Sequence, residues 1–220
     1  MTAVQRLSWC KARTALLTLP ALLMLANPGA RAARPPSDPD WPCQQIKMPE
    51  LSLGATWDGP DVTPYFAKWS QDAAVAALVE SIVQRRMPLD QAQQTVHSFA
   101  GQLGPSQRSR LLALMAGVFS TLDAERAQVL AGLDRFGRRQ KELAAAIHAD
   151  MDKLHAQQSS SDAAAPAEVK RLGEQLGWET RVFEQRRQTI RYACAVPDAI
   201  EQRLFALART IAGILNESPP

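Results

Sequence analysis

Apolar positions along this chain recur at three- and four-residue steps, the spacing of one face of a helix. From about Pro64 to Arg86 the stripe reads Phe66, Trp69, Ala73, Ala76, Val79 and Val83, and Met87-Pro88 closes it. A second helix opens at Leu89-Asp90, carries Ala92, Val96, Phe99 and Leu103, and stops at Gly104-Pro105, a glycine–proline stop signal.

From Ser106 no strong breaker occurs until Ser159. The apolar positions between them are Leu111, Met115, Val118, Leu122, Val129, Leu133, Phe136, Leu143, Ile147, Met151 and Leu154. Their mean repeat is close to 3.5 residues, which is coiled-coil spacing. Glu125 and Gln140 interrupt the stripe, and Gly117, Gly132 and Gly137 are expected to weaken the helix and mark bends. Unbroken, about 50 residues would span roughly 75 Å, more than a domain of this size requires.

A flexible turn at residues 159–166 precedes another helix, from about Ala167 to Ala193, with Val169, Leu172, Leu176, Phe183 and Ile190 on its stripe and Glu179 and Arg186 as polar positions within it. A last helix runs from Asp198 to about Leu215 with Ile200, Leu204, Leu207, Ile211 and Leu215 inward. Pro197 and Asp198 suit its N-terminus. A short turn between two periodic helices implies an antiparallel hairpin, here pairing residues whose numbers sum to about 324. The expected fold is all-α, a helical bundle head bearing a long antiparallel coiled-coil hairpin arm over about 130–193. The helices expected near 64–86, 89–103 and 198–215 would cover the near half of the long helix.

Two N-terminal stretches break the helical pattern. Residues 33–64 are rich in proline yet contain Trp41, Ile46, Met48, Leu51, Leu53 and Trp57. That is too apolar for a free tail. An extended strap lying along the helices is expected, giving one helical domain over 65–220. Residues 1–32 read as a secretory signal peptide. Arg6, Lys11 and Arg13 precede an apolar run of 13 residues (14–26), and Ala30-Arg31-Ala32 offers a cleavage site. The run falls short of the roughly 20 residues of a membrane-spanning helix.

Removing that peptide changes the charge. The whole chain is +3, with 25 basic and 22 acidic residues. The peptide takes four basic groups, so 21 basic residues face 22 acidic ones, a net of −1. Nucleic acid is therefore not an expected partner. Cys43 and Cys194 remain after cleavage, and an oxidising compartment favours a disulfide between them. The competing readings are free thiols or a metal-binding pair.

Candidate chemistry is sparse. His148, Asp152 and His155 follow one another along one helix face and are the metal-ligand candidates, although three ligands on one straight helix span about 10 Å. Arg135, Arg138, Arg139 and Lys141 stand level with Arg181, Arg186, Arg187 and Arg191 across the hairpin. This basic band suits anionic headgroups or an acidic partner. Trp178, near the arm's tip, is the candidate exposed contact. No nucleophile elbow, phosphate loop or zinc-protease motif is present, and no cofactor is expected.

The combination of signal peptide, helical hairpin and Gln/Arg-rich helices is similar to that of bacterial periplasmic helical chaperones and envelope adaptors. The resemblance is one of fold and implies a binding role. The expectation is a non-enzymatic periplasmic scaffold or chaperone-like protein. Its arm would meet another envelope protein or the membrane surface, and the coiled-coil stripe would equally serve a homodimer. A metal-responsive helical protein and an enzyme without a recognisable motif are the alternatives.

Overall fold

The computed structural model describes residues 38–217, and the expected signal peptide lies outside them. The described residues belong to one compact unit and contain helices and no strands. The helices are α1 (Leu53–Thr56), α2 (Ala73–Ile82), α3 (Leu89–Ala100), α4 (Gln107–Gln158), α5 (Ala165–Cys194) and α6 (Val196–Glu217). None is long and apolar enough to cross a membrane.

The unbroken helix expected from Ser106 to Ser159 is α4, whose 52 residues extend about 78 Å at 1.5 Å per residue. Its first part is buried on every side, from Leu111 to Val118 without a gap, as in a helix at the centre of a bundle. There α4 packs against α2 and α6. Against expectation, α3 packs mainly on α6 and α2 rather than on α4. Val75, Val79 and Ile82 of α2 meet Leu111, Leu114, Met115 and Leu122 of α4 and Ile200, Leu204, Leu207 and Ile211 of α6 in the main core. Each such side chain contributes about 1.5–3 kcal/mol when fully buried.

The helix expected from Pro64 starts nine residues later. Asp72 caps α2, its carboxylate accepting from the amides of Ala74 and Val75. The preceding residues form two 3-10 turns, Thr63–Tyr65 and Trp69–Gln71. These turns carry aromatic rings onto α4. Phe66 stands edge-on to Phe119 with centroids 6.0 Å apart, and Trp69 lies over Gly117. At the other end α2 stops at Ile82, and Arg203 of α6 donates to the carbonyls of Ile82 (2.7 Å) and Met87 (3.0 Å). Burial lowers the pKa of this arginine. The next helix, α3, ends at Ala100, short of the expected stop, and Gly104, with φ at 51°, instead opens a 3-10 turn over Gly104–Ser106 in a conformation only glycine adopts at little cost.

Beyond Leu122 the burial of α4 narrows to one stripe, and α5 returns along it. The expected register holds. Gln140 Nε2 donates to the Phe183 carbonyl (3.0 Å), and Gln175 Nε2 to Asp150 Oδ2 (2.6 Å). At the tip, Asp162 Oδ1 accepts from the Ala164 amide. One seam assignment is wrong. Met151, expected inward, is exposed, and Asp150 is buried in its place. The seam has drifted by one position, and Lys153 and Gln175 satisfy the carboxylate. Such polar positions specify register, because a slipped pairing would strip Asp150 and Gln140 of their partners.

The strap is present but not wholly extended. A turn joins Asp38 to Trp41, α1 interrupts the chain, and Trp57 is buried with its indole N–H on the Pro60 carbonyl (2.7 Å). The glycines expected to bend α4 leave it continuous. Gly137 instead lies beneath the strap, where a Cβ would overlap the Asp40 carbonyl.

Two measurements follow from this packing. Gly137→Ala should lower stability by about 1–3 kcal/mol through overpacking. Gly173→Ala, with open space above its Cα, should raise it by up to about 1 kcal/mol through helix propensity alone. Chemical denaturation of both variants checks the contrast, and a stabilised Gly137→Ala would refute the close approach. Arg110 holds the Asp72 carboxyl down to about 2. A depressed carboxylate contributes stability above its unfolded pKa and loses it as pH falls through the folded one. Asp72→Asn keeps a capping side chain. It should therefore cost about 1 kcal/mol at neutral pH after solvent screening, and the difference from wild type should vanish between about pH 4 and pH 2.

Candidate interaction surface on the hairpin arm

The arm is rooted where the strap crosses α4 and α5. Cys43 and Cys194 are joined by a disulfide across 151 residues of sequence. Gln45 donates its amide to the Cys194 carbonyl, and the Trp41 indole to the Gln45 carbonyl (2.7 Å). Beneath them Leu130, Leu133 and Cys194 form a second small core, with Trp41 and Ile190 packed on it. Arg126, only 3% exposed, binds Glu201 (2.6 Å) and the Met48 carbonyl (2.7 Å), so strap, α4 and α6 meet on one guanidinium. No periodicity argument singled out Arg126. It is one residue from Glu125, which interrupts the apolar stripe.

Ion pairs complete the junction. Lys47 bridges Asp134 (2.8 Å) and Asp38 (2.7 Å). The Asp134 hydrogen bond, then that of Asp38, raises the Lys47 pKa, and Lys47 lowers that of Asp38. Asp40 lies 3.0 Å from Lys141 and 3.8 Å from Arg138.

This junction divides the expected basic band. Arg138 and Lys141 face the strap and share Asp40. Arg187 pairs with Glu184 at 2.8 Å. Arg191 lies over the Tyr192 ring, 5.0 Å from its centroid, and donates to its hydroxyl. Arg135, Arg139, Arg181 and Arg186 are exposed and have no ion-pair partner among the described residues.

Trp178 is 62% exposed, as expected. The sequence reading missed Tyr192, which is 67% exposed. The signal was available: Tyr192 follows Trp178 by two heptads and therefore shares its face of α5. The stripe Trp178, Arg181, Gln185, Gln188, Tyr192 is exposed throughout.

The metal candidates His148, Asp152 and His155 are all exposed on the distal part of α4. Among the described residues no group of three or more His, Cys, Asp or Glu side chains gathers to hold an ion. The clefts are shallow. One of the larger lies open between Ala77, Glu80, Gln84, Arg86 and Met87, and one of about 90 Å³ sits under the strap beside Arg126 and Glu201. Two buried acceptors, Gln140 Oε1 and Glu179 Oε2, lack hydrogen-bond partners in the arm's seam.

Comparison with known protein families, characterised proteins and solved structures finds none that matches this chain.

The disulfide has a measurable weight. In the loop-entropy account, a crosslink spanning 151 residues stabilises by about 4–5 kcal/mol, and by about 2–4 kcal/mol in common experience. Cys43→Ser/Cys194→Ser should lose stability in that range in urea. Non-reducing peptide mapping should recover the 43–194 crosslink.

Proposed function

We propose that this is an exported, non-enzymatic interaction protein of the bacterial periplasm, which uses its hairpin arm to engage a partner protein or a membrane surface. The observation that carries the reading is the arm itself. It projects beyond the core that α2, α3 and α6 complete, and it bears four arginines without acid partners beside an exposed Trp178. Folding alone needs neither the length nor the unpaired charge. Unpaired surface charge steers association with an oppositely charged surface, and exposed aromatics are frequent binding anchors. The Cys43–Cys194 disulfide suits an oxidising compartment, as does the signal-like segment at residues 1–32.

A photo-crosslinking residue placed at Gln185 in cells tests the reading. Adducts should form with the wild-type arm and largely disappear when Arg135, Arg139, Arg181 and Arg186 are all changed to Glu, with the thermal midpoint preserved. The protein should fractionate with the periplasm and begin near Ala33. Adducts indifferent to the charge reversal would refute the arm as the contact element.

A further inference from the structure

The outer face of α5 has a composition that narrows the choice of partner. Leu172, Leu176, Phe183 and Ile190 point toward α4, and the opposite side of the helix carries Trp178, Arg181, Gln185, Gln188 and Tyr192. Trp178 and Tyr192 stand 14 residues apart, about 21 Å along the axis, with only polar and cationic side chains between them on that face. Arg191, exposed and with no ion-pair partner among the described residues, brings a second cation to this stripe, its guanidinium 5.0 Å from the Tyr192 ring centroid.

A docking protein helix draws its affinity from a continuous apolar seam, with knobs at each heptad position. This face offers two aromatic rings separated by three turns of Arg and Gln. A parallel pairing with a second copy would set Arg181 against Arg181, and either direction would leave the turns between the two rings polar. The headgroup layer of a membrane has the opposite requirements. Trp and Tyr favour that layer because a ring and a polar tip can both be accommodated there. Arginine is attracted to anionic lipid phosphates. Two rings on one line of a straight helix also suit a flat surface.

We propose that the outer face of α5 lies on anionic phospholipid, with Trp178 and Tyr192 seated among the headgroups and Arg181 and Arg191 on the phosphates. This deepens the arm reading and rests on it. Arg138 and Lys141 take no part, because the strap's Asp40 already occupies them.

The probe is vesicles of phosphatidylglycerol and phosphatidylethanolamine in equal parts, with phosphatidylcholine vesicles as the neutral control. The protein is residues 33–220, which include the compact unit and its disulfide. It should sediment with the anionic vesicles and not with the neutral ones, and added salt should release it. Tryptophan emission should shift to the blue on binding in the wild type and stay unshifted in Trp178→Phe. Arg181→Ala/Arg191→Ala should weaken partition about thirtyfold, the combined effect of two cations near an anionic surface. Trp178→Ala/Tyr192→Ala should weaken it while leaving the thermal midpoint in place.

Absence of binding to anionic vesicles overturns the proposal, and so does binding that both double variants retain. If in-cell adducts depend on the four arginines while vesicles go unbound, the arm still binds a protein and the lipid assignment falls. If the adducts ignore the arginines as well, the arm reading falls with it.

Discussion

The structure depends on one constraint: α4 must serve as the central helix of the head and as one strand of the arm without a break. Over its first turns the requirement is burial on all sides, met by the continuous apolar block from Leu111 to Val118. Past Leu122 only one stripe is buried, and the rest of the surface carries charge. A helix that changes from one regime to the other has a weak point at the change, where the head's core ends and the two-helix seam begins. The strap crosses α4 just beyond that transition.

This explains why the polar groups that matter most gather there. Arg126 ties α4 to Glu201 and to the strap backbone, Lys47 ties the strap to Asp134, and the disulfide ties it to the end of α5. Each bond crosses between elements far apart in sequence. A buried guanidinium needs well-placed acceptors: Arg126 finds a carboxylate and a strap carbonyl, and Arg203 finds the Ile82 and Met87 carbonyls at and beyond the end of α2. The junction therefore fixes the angle at which the arm leaves the head, and it also removes Arg138 and Lys141 from the set of charges that can meet a partner.

The candidate surface was half legible. Trp178 stood out because its position offered little core to pack on, and the arginines because they cluster at one level of the hairpin. Two further facts needed coordinates. Asp40 reaches across 101 residues to Lys141, a pairing no local pattern encodes. Tyr192 was visible as a heptad echo of Trp178, but its exposure depended on α6 turning away at Ala195 rather than covering it. The glycines of α4 show the same limit. Sequence assigns them a propensity cost, whereas Gly117 and Gly137 are places where a ring and a carbonyl come down on the helix.

Local chemistry determined the helices to within about a turn at their ends and the hairpin register, and two cysteines in residues 33–220 left one intramolecular pairing. Periodicity, glycine–proline punctuation and capping act over a few residues, and a short turn dictates what faces what for the length of an antiparallel pair. The start of α2 at Asp72 belongs here too, since its capping carboxylate is a short-range signal that a longer apolar pattern masked. Tertiary structure alone decided that α3 packs on α6, that Asp150 displaces Met151 from the seam, and that the strap's Asp40 neutralises two of the four basic residues α4 gives to the band. Those outcomes depend on volumes and charges that meet only once the chain has closed on itself. The face left unpaired after that closure is the surface available for binding.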